Sequence, residues 1–196
     1  FNVVPADKPY VIYSGYELLD DNQRLDYGET LNVTMNVKNI GLQPTTNVTV
    51  KLSTDSKYVT VTKDNAEISK IESGETINLE NLFTVNVKPE VPNHTKIEFI
   101  VTCTDGKSTW ETTFYTYAYA PVFSIDNIKI LSDKIIQPGE EGTLEMTFSN
   151  VGGSMANDIV TEVFSSSSDI EFKNTSILTK EVAAGETFIV TADFTV

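Results

Sequence analysis

The sequence holds one cysteine (Cys103), one histidine (His94) and one arginine (Arg24). A single cysteine excludes an intrachain disulfide and a cysteine-based zinc site. A single histidine excludes a multi-histidine metal centre and leaves any triad-type mechanism dependent on that one ring. A lone arginine excludes a phosphate clamp built on several. No apolar run approaches the roughly 18 residues of a membrane span, and neither common glycine-rich phosphate loop occurs. The opening residues Phe1-Asn2-Val3-Val4-Pro5 carry no leader pattern, so a leader is expected to have been removed or the chain to belong to something longer. Basic residues are scarce: 14 Lys and Arg stand against 28 Asp and Glu, for a net charge of −14. That balance excludes nucleic acid and anionic lipid as partners, and no membrane insertion is expected. What is present, 40% hydrophobic and 10% aromatic residues in 196, suffices for a core and fits one large domain or two small ones.

An internal repeat decides between these. Gly28-Glu29 recurs as Gly139-Glu140, 111 positions later, and at the same offset Asn39-Ile40-Gly41 becomes Asn150-Val151-Gly152. Gly74-Glu75-Thr76 becomes Gly185-Glu186-Thr187, and Phe83-Thr84-Val85 becomes Phe194-Thr195-Val196. The apolar positions between these anchors also correspond. The expected organisation is a lead-in over 1–9, a first module over 10–120 and a second over 121–196. By this alignment the second copy stops short of counterparts to residues 86–120, so the natural protein is expected to continue beyond Val196.

Apolar residues recur with period two, as in Leu31, Val33, Met35, Val37 and in Ile97, Phe99, Val101, Cys103. Such alternation predicts half-buried β-strands, here near residues 10–18, 30–38, 46–53, 58–62, 76–87, 95–104 and 109–118. Gly and Pro punctuate the intervals, and no amphipathic helix of useful length is found. About seven short strands in ~110 residues predict an all-β chain of two tandem immunoglobulin-like antiparallel β-sandwich modules. The second lacks its last two strands and is expected to expose Leu144, Met146, Phe148 and Phe194, with an open sheet edge that invites strand-pairing self-association.

Several segments carry a family resemblance: Asp20-Asp21-Asn22-Gln23-Arg24-Leu25-Asp26-Tyr27-Gly28-Glu29-Thr30, Lys38-Asn39-Ile40-Gly41, Tyr58 to Thr62, Val91-Pro92-Asn93-His94-Thr95, and Trp110 to Val122. Together they resemble the immunoglobulin-like repeats downstream of the catalytic domain in secreted gingipain-type cysteine peptidases of Bacteroidetes. The second module shares only Pro138-Gly139-Glu140 and Asn150-Val151-Gly152. The resemblance implies an extracellular or cell-surface location and an accessory role beside an enzyme. The family's catalytic cysteine and histidine lie in a separate domain, so Cys103 and His94 inherit no catalytic role.

One candidate ligand site stands out. Asp20, Asn22 and Asp26 are spaced like positions 1, 3 and 7 of a calcium loop, with Glu29 close behind. Arg24 at position 5, and Leu25 where glycine is expected, depart from that pattern. The counterparts Leu131, Asp133 and Gln137 show that such a site is not repeated. Cys103, in phase with Ile97, Phe99 and Val101, is expected to be a buried thiol, and His94 an exposed turn residue. Tyr115, Tyr117 and Tyr119 share one strand face, suited either to stacking on sugar rings or to packing. The expected function is therefore a non-catalytic extracellular accessory region that spaces or stabilises neighbouring domains of the same polypeptide. An adhesive or glycan-binding surface module, with a protein or glycan ligand, is the alternative.

Overall fold

The computed structural model describes residues 7–132 and 134–196, and no helix occurs among them. The chain divides between Tyr119 and Ala120 into two compact units. The first contains β1 (Val11–Leu19), β2 (Leu25–Asp26), β3 (Thr30–Asn39), β4 (Thr45–Ser53), β5 (Val59–Lys63), β6 (Asn65–Ile71), β7 (Thr76–Val87), β8 (Thr95–Thr104) and β9 (Thr109–Tyr119). The second contains β10 (Phe123–Ile130), β11 (Glu141–Asn150), β12 (Ala156–Glu162), β13 (Glu171–Phe172), β14 (Ser176–Val182) and β15 (Thr187–Thr195).

Unit 1 is a sandwich of two sheets, ordered β1-β3-β7-β5 and β2-β9-β8-β4-β6. The alternating residues do what their pattern dictates. Val33, Met35 and Val37 of β3, Val48, Val50 and Leu52 of β4, and Ile97, Phe99, Val101 and Cys103 of β8 are all buried. Phe114 of β9 ties the sheets together by stacking on Tyr13 and Tyr16 of β1, each at 4.7 Å between ring centroids. Two strands lie outside those expected from the alternation, β2 and β6. Moreover, β2 runs parallel to β9, through Leu25↔Ala118 and Asp26↔Tyr119, so the sheets are not wholly antiparallel.

Unit 2 repeats the first sheet as β10-β11-β15-β13, while its second sheet is reduced to β12-β14. Among the described residues β8, β9 and β2 have no counterpart. Burial corrects one expectation. Met146 and Phe194 are only 7% and 5% exposed, because Val163, Val190 and Ala192 close a small core around Met146 and the Phe172 ring meets that of Phe194 at 5.9 Å. Leu144 and Phe148 are half-buried.

The repeat is written in hydrogen bonds as well as in sequence. Asn39 and Asn150 are fully buried and play the same part. The Asn39 Oδ1 accepts from Tyr10 N–H and Gly41 N–H, each at 3.0 Å, and its Nδ2 donates to Gln43 O at 2.8 Å and Ile71 O at 3.4 Å. The Asn150 Oδ1 accepts from Val122 N–H at 3.2 Å and Gly152 N–H at 3.1 Å, and its Nδ2 donates to Ser154 O at 2.8 Å and Val182 O at 3.3 Å.

Four turns share a second device. In Asp26–Glu29, Glu72–Glu75, Gln137–Glu140 and Ala183–Glu186 the third residue is a glycine with φ between +70° and +85°, as a type II turn requires. In each, the glutamate N–H donates back to the first residue's carbonyl while its carboxylate accepts from that residue's N–H.

The constant offset of 111 does not survive to the chain end. Opposite β3, β7 pairs Met35↔Leu79 and then Val33↔Phe83, which leaves two extra residues in a bulge where Asn81 takes φ +56° and donates to Thr34 Oγ1. In unit 2, Met146↔Val190 is followed by Leu144↔Ala192 without a bulge. Phe83 therefore corresponds to Ala192 in the pairing, and the sequence match of Phe83-Thr84-Val85 with Phe194-Thr195-Val196 is two residues out of structural register. Accordingly, Val87 N–H donates to Glu29 O and Val196 N–H to Glu140 O, in equivalent places.

Candidate functional site

The acidic loop leaves β1 at Leu19 and enters β2 with Leu25 fully buried, so the residue standing where a calcium loop has glycine is a core plug. Tyr27 N–H donates to Tyr119 O at 2.9 Å, which pins the loop to the end of β9. The polar side chains then converge on Arg24. Its backbone N–H donates to Asp20 Oδ1 at 3.2 Å and Asn22 Oδ1 at 2.9 Å, and its Nη2 lies 3.6 Å from Asp26 Oδ1. Asn22 Nδ2 donates to Asp26 Oδ2 at 2.7 Å. The Arg24 guanidinium sits 3.9 Å from the centre of the Tyr119 ring, within cation–π range. Three of the four candidate ligands, Asp20, Asn22 and Asp26, are thus brought together, with a cation of the chain's own among them. Glu29 belongs to the turn instead, accepting from Asp26 N–H at 3.1 Å. Among the described residues no group of three or more His, Cys, Asp or Glu is arranged to hold a metal ion. Of the counterparts in unit 2, Asp133 lies outside the described residues.

The loop's charges separate two glutamates that the repeat makes equivalent. Burial raises the Glu29 carboxyl above its ordinary 4.5; the charges of Asp20 and Asp26 add to this, and the bond from Asp26 N–H opposes it. Glu140 is lowered, by the bond from Gln137 N–H and by Lys134, whose Nζ is 3.2 Å from its Oε1. The linkage signs are opposite. Ionising Glu29 is harder in the fold, so its contribution to stability falls as pH rises from 4.5 through its raised folded pKa. The Glu140 contribution is complete above 4.5 and is lost as pH falls through its lowered folded pKa. Glutamine keeps the carbonyl acceptor and removes the charge. Near neutral pH, Glu29→Gln is expected to raise the melting midpoint of unit 1 and Glu140→Gln to lower that of unit 2, both effects fading in acid. Melts across the pH range check this, and effects of one sign would contradict it.

The tyrosine row lies on the outer face of β9 but does not form a flat platform. The Tyr117 ring is covered by His94, stacked at 4.4 Å and 3° between planes, and the Tyr119 ring by Arg24. Tyr115, 55% exposed, stands at 86° to Tyr117 and carries the Lys96 ammonium 4.2 Å from its centre. His94, with φ +58°, is the exposed turn residue expected, and its ring lies on β9. Cys103 is 1% exposed, and burial pushes its thiol up to about 11, which keeps it protonated and unreactive. Sequence reasoning missed the pairs Arg24–Tyr119 and His94–Tyr117, because nothing in local spacing joins residues so far apart.

Unit 2 has two clefts of about 540 and 500 Å³, which open between β11 and the loops around β12 and β13. Both are bordered by Leu144, Phe164 and Phe172.

This architecture is that of tandem immunoglobulin-like sandwich modules. Comparison with known proteins narrows the first of them: residues 17–109 match the CARDB family model, a family of non-catalytic, immunoglobulin-like, adhesion-related modules. No curated protein matches the chain. Among solved structures, trypsin-activated alpha-2-macroglobulin from Escherichia coli is similar at 17% identity and a TM-score of 0.40, covering 67% of this chain and 8% of that one. Native alpha-2-macroglobulin from Escherichia coli, from domain MG7 to the C-terminus, is similar at 15% identity and a TM-score of 0.42, covering 69% and 20%. A protein of unknown function from Porphyromonas gingivalis W83 is similar at 10% identity and a TM-score of 0.32, covering 95% and 83%. The chain thus spans a small part of either macroglobulin structure.

Proposed function

We propose that the chain is a non-catalytic accessory region of a larger extracellular or cell-surface protein, spacing or stabilising neighbouring domains of the same polypeptide. One observation carries this reading. The side chains best suited to chemistry are committed to structure: Cys103 to the core, His94 to Tyr117, and Arg24 to Asp26 and Tyr119. The resemblance of the acidic loop and of the Trp110–Val122 segment to repeats in gingipain-type cysteine peptidases of Bacteroidetes supports such a peptidase as the parent. Two measurements test these statements separately. Turnover of a peptide panel by the isolated chain would overturn the accessory reading. The sequence of the whole native polypeptide tests the parent: a cysteine peptidase domain supports it, and its lack removes it.

An adhesive role is the second reading, favoured by the adhesion-related family that residues 17–109 match. Sugar stacking on the tyrosine row is its weaker form, because the Tyr117 and Tyr119 faces are already occupied. Calcium at Asp20, Asn22, Asp26 and Glu29 makes a definite demand: the ion must displace Arg24 from Asp26. A ligand that binds only the folded form at a hundredfold excess over Kd stabilises by about 2.7 kcal/mol. A higher melting temperature in millimolar calcium than in chelator therefore supports the site, and an unchanged one removes it.

A further inference from the structure

The repeat allows each surface of unit 1 to be compared with its counterpart in unit 2, and one of them differs in kind. On the outer side of β3, β7 and β5, Thr30, Asn86 and Thr60 stand abreast in one row, through Thr30↔Asn86 and Thr60↔Asn86. Asn32 and Thr84 form the next row, with Thr62 beside them donating from Oγ1 to Thr84 O at 3.3 Å. These six side chains are exposed or half-buried, and none is charged. Lys63 marks the rim, its Nζ donating to Asn81 O at 3.2 Å. In unit 2 the same places hold Glu141, Thr195 and Glu171 in the first row and Thr143 and Asp193 in the second, with the Lys173 ammonium paired to Glu141. The fold therefore accepts charge at these positions, and unit 1 is without it in a chain of net charge −14.

Asparagine sharpens the contrast. It is depleted in strands, yet Asn32, Asn36, Asn78 and Asn86 all lie on this side of β3 and β7, with Asn36 facing Asn78. Their counterparts in unit 2 are Thr143, Thr147, Ile189 and Thr195. None of the four is buried, so core packing does not require them. Two are held in place within the face: Thr84 Oγ1 donates to Asn32 Oδ1 at 2.9 Å, and Asn86 Nδ2 donates to Thr30 Oγ1 at 2.7 Å. That leaves Asn32 Nδ2, Asn86 Oδ1 and the Thr30 hydroxyl proton oriented for a ligand.

We infer that this face binds a neutral polysaccharide, laid along the two rows as an extended chain. The inference rests on the adhesive reading and names its ligand. Thr hydroxyls and Asn amides both donate and accept, as sugar hydroxyls do, and an amide presents the two roles side by side to a pair of neighbouring hydroxyls. A charged polymer finds no counter-charge in the rows, and an anionic one is also repelled by the chain as a whole. A protein partner is disfavoured, because the rows hold none of the aromatic, Met and Arg side chains that fill interface centres. At the usual strand spacing of about 4.8 Å, three strands span roughly 10 Å, so a single sugar meets few of these groups and a polymer engages both rows. Side chains already held by one another lose little freedom on binding.

The test is native electrophoresis of the full chain through gels holding hydroxyethyl cellulose, xyloglucan, mannan or dextran, with polygalacturonate as the anionic control. Retardation, relative to a gel without polymer, is expected in at least one neutral gel and not in polygalacturonate. The side-chain amide NMR signals of Asn32 and Asn86 are expected to shift with oligosaccharides of the retarding polymer. Asn32→Asp combined with Asn86→Asp keeps the size of both side chains and their bonds to Thr84 and Thr30, removes the amide donors and adds charge. It should weaken binding at least tenfold at unchanged melting temperature. If that variant fails to fold, the amide shifts in the natural chain decide. No retardation in any neutral gel, equal retardation of the variant, or shifts confined to Tyr115 and Tyr117 would each overturn the inference. So would self-association that covers the rows, which would make a second copy the occupant. The adhesive reading is judged separately, by binding of the chain to cells before and after periodate oxidation of their glycans. Binding that survives oxidation keeps adhesion and removes this ligand; no cell binding together with no retardation removes both.

Discussion

Replacing Asn39 with alanine is expected to be among the most damaging single changes in unit 1. Its side chain joins three chain segments: it accepts from the N–H groups of Tyr10 and Gly41 and donates to the carbonyls of Gln43 and Ile71. Alanine leaves these groups without their partner at a site where Asn39 itself has no exposure. Each stranded buried group costs about 1–3 kcal/mol, and with partial access to water the total is about 3–5 kcal/mol. That is a large share of the roughly 5–15 kcal/mol that holds a small domain folded. Aspartate is no rescue, because it keeps the acceptor but sets a carboxylate oxygen against the Gln43 and Ile71 carbonyls and buries a charge. Urea unfolding of Asn39→Ala, followed by amide exchange in β1 and β3, is the measurement. A loss under about 1 kcal/mol would mean that water replaces the side chain freely. Asn150→Ala is expected to act likewise on unit 2 and leave unit 1 unchanged.

The importance of Asn39 was visible in the sequence only as a repeated Asn-x-Gly. Alternation located β3, β4, β7, β8 and β9 because those strands are buried on one face, so their chemistry alternates with their geometry. It failed for β6, where buried Ile68 and Ile71 are three apart. The register stays constant from Thr46↔Lys70 to Val48↔Ile68, but Asn47 between them takes φ +53°, and there the buried face changes phase on both strands. β2 is two residues long, too short for any period. The two extra residues of the β7 bulge were also invisible, since an even shift keeps every apolar side chain on the same face. Phe83 and Phe194 are both buried, yet they are not pairing equivalents. The acidic loop could be read as a cluster of oxygens from spacing alone. The guanidinium among them, stacked on Tyr119, depends on β9 passing the loop, a contact that needs the tertiary fold.

The second large effect is expected at Gly41 and its repeat, Gly152, for a reason unlike that of the turn glycines. An ideal Cβ on Gly41 would lie 2.1 Å from Lys8 O and 2.6 Å from Tyr10 N; on Gly152 it would lie 2.3 Å from Ala120 O and 2.4 Å from Val122 N. These are backbone atoms of the segment entering the first strand of each unit, and they cannot rotate aside as a side chain can. Relief requires that segment to move, which strains the bonds from Ile40 N–H to Tyr10 O at 2.8 Å and from Val151 N–H to Val122 O at 2.7 Å. It also pulls Tyr10 and Val122 away from the buried asparagines. Gly41→Ala is expected to cost about 3 kcal/mol or more, combining overpacking with loss of buried hydrogen bonds. Gly28 provides the internal comparison. Its φ is +70° but no heavy atom lies within 4 Å of its would-be Cβ, so Gly28→Ala carries only the backbone penalty of about 1–2 kcal/mol. Chemical denaturation of the two variants side by side separates the causes. If Gly41→Ala costs no more than Gly28→Ala, the entering segment is compliant and the Asn-x-Gly turn is not the fixed point of the module. If it costs at least twice as much, and Gly152→Ala does the same to unit 2, both modules are closed at one residue where the entering segment passes against the turn.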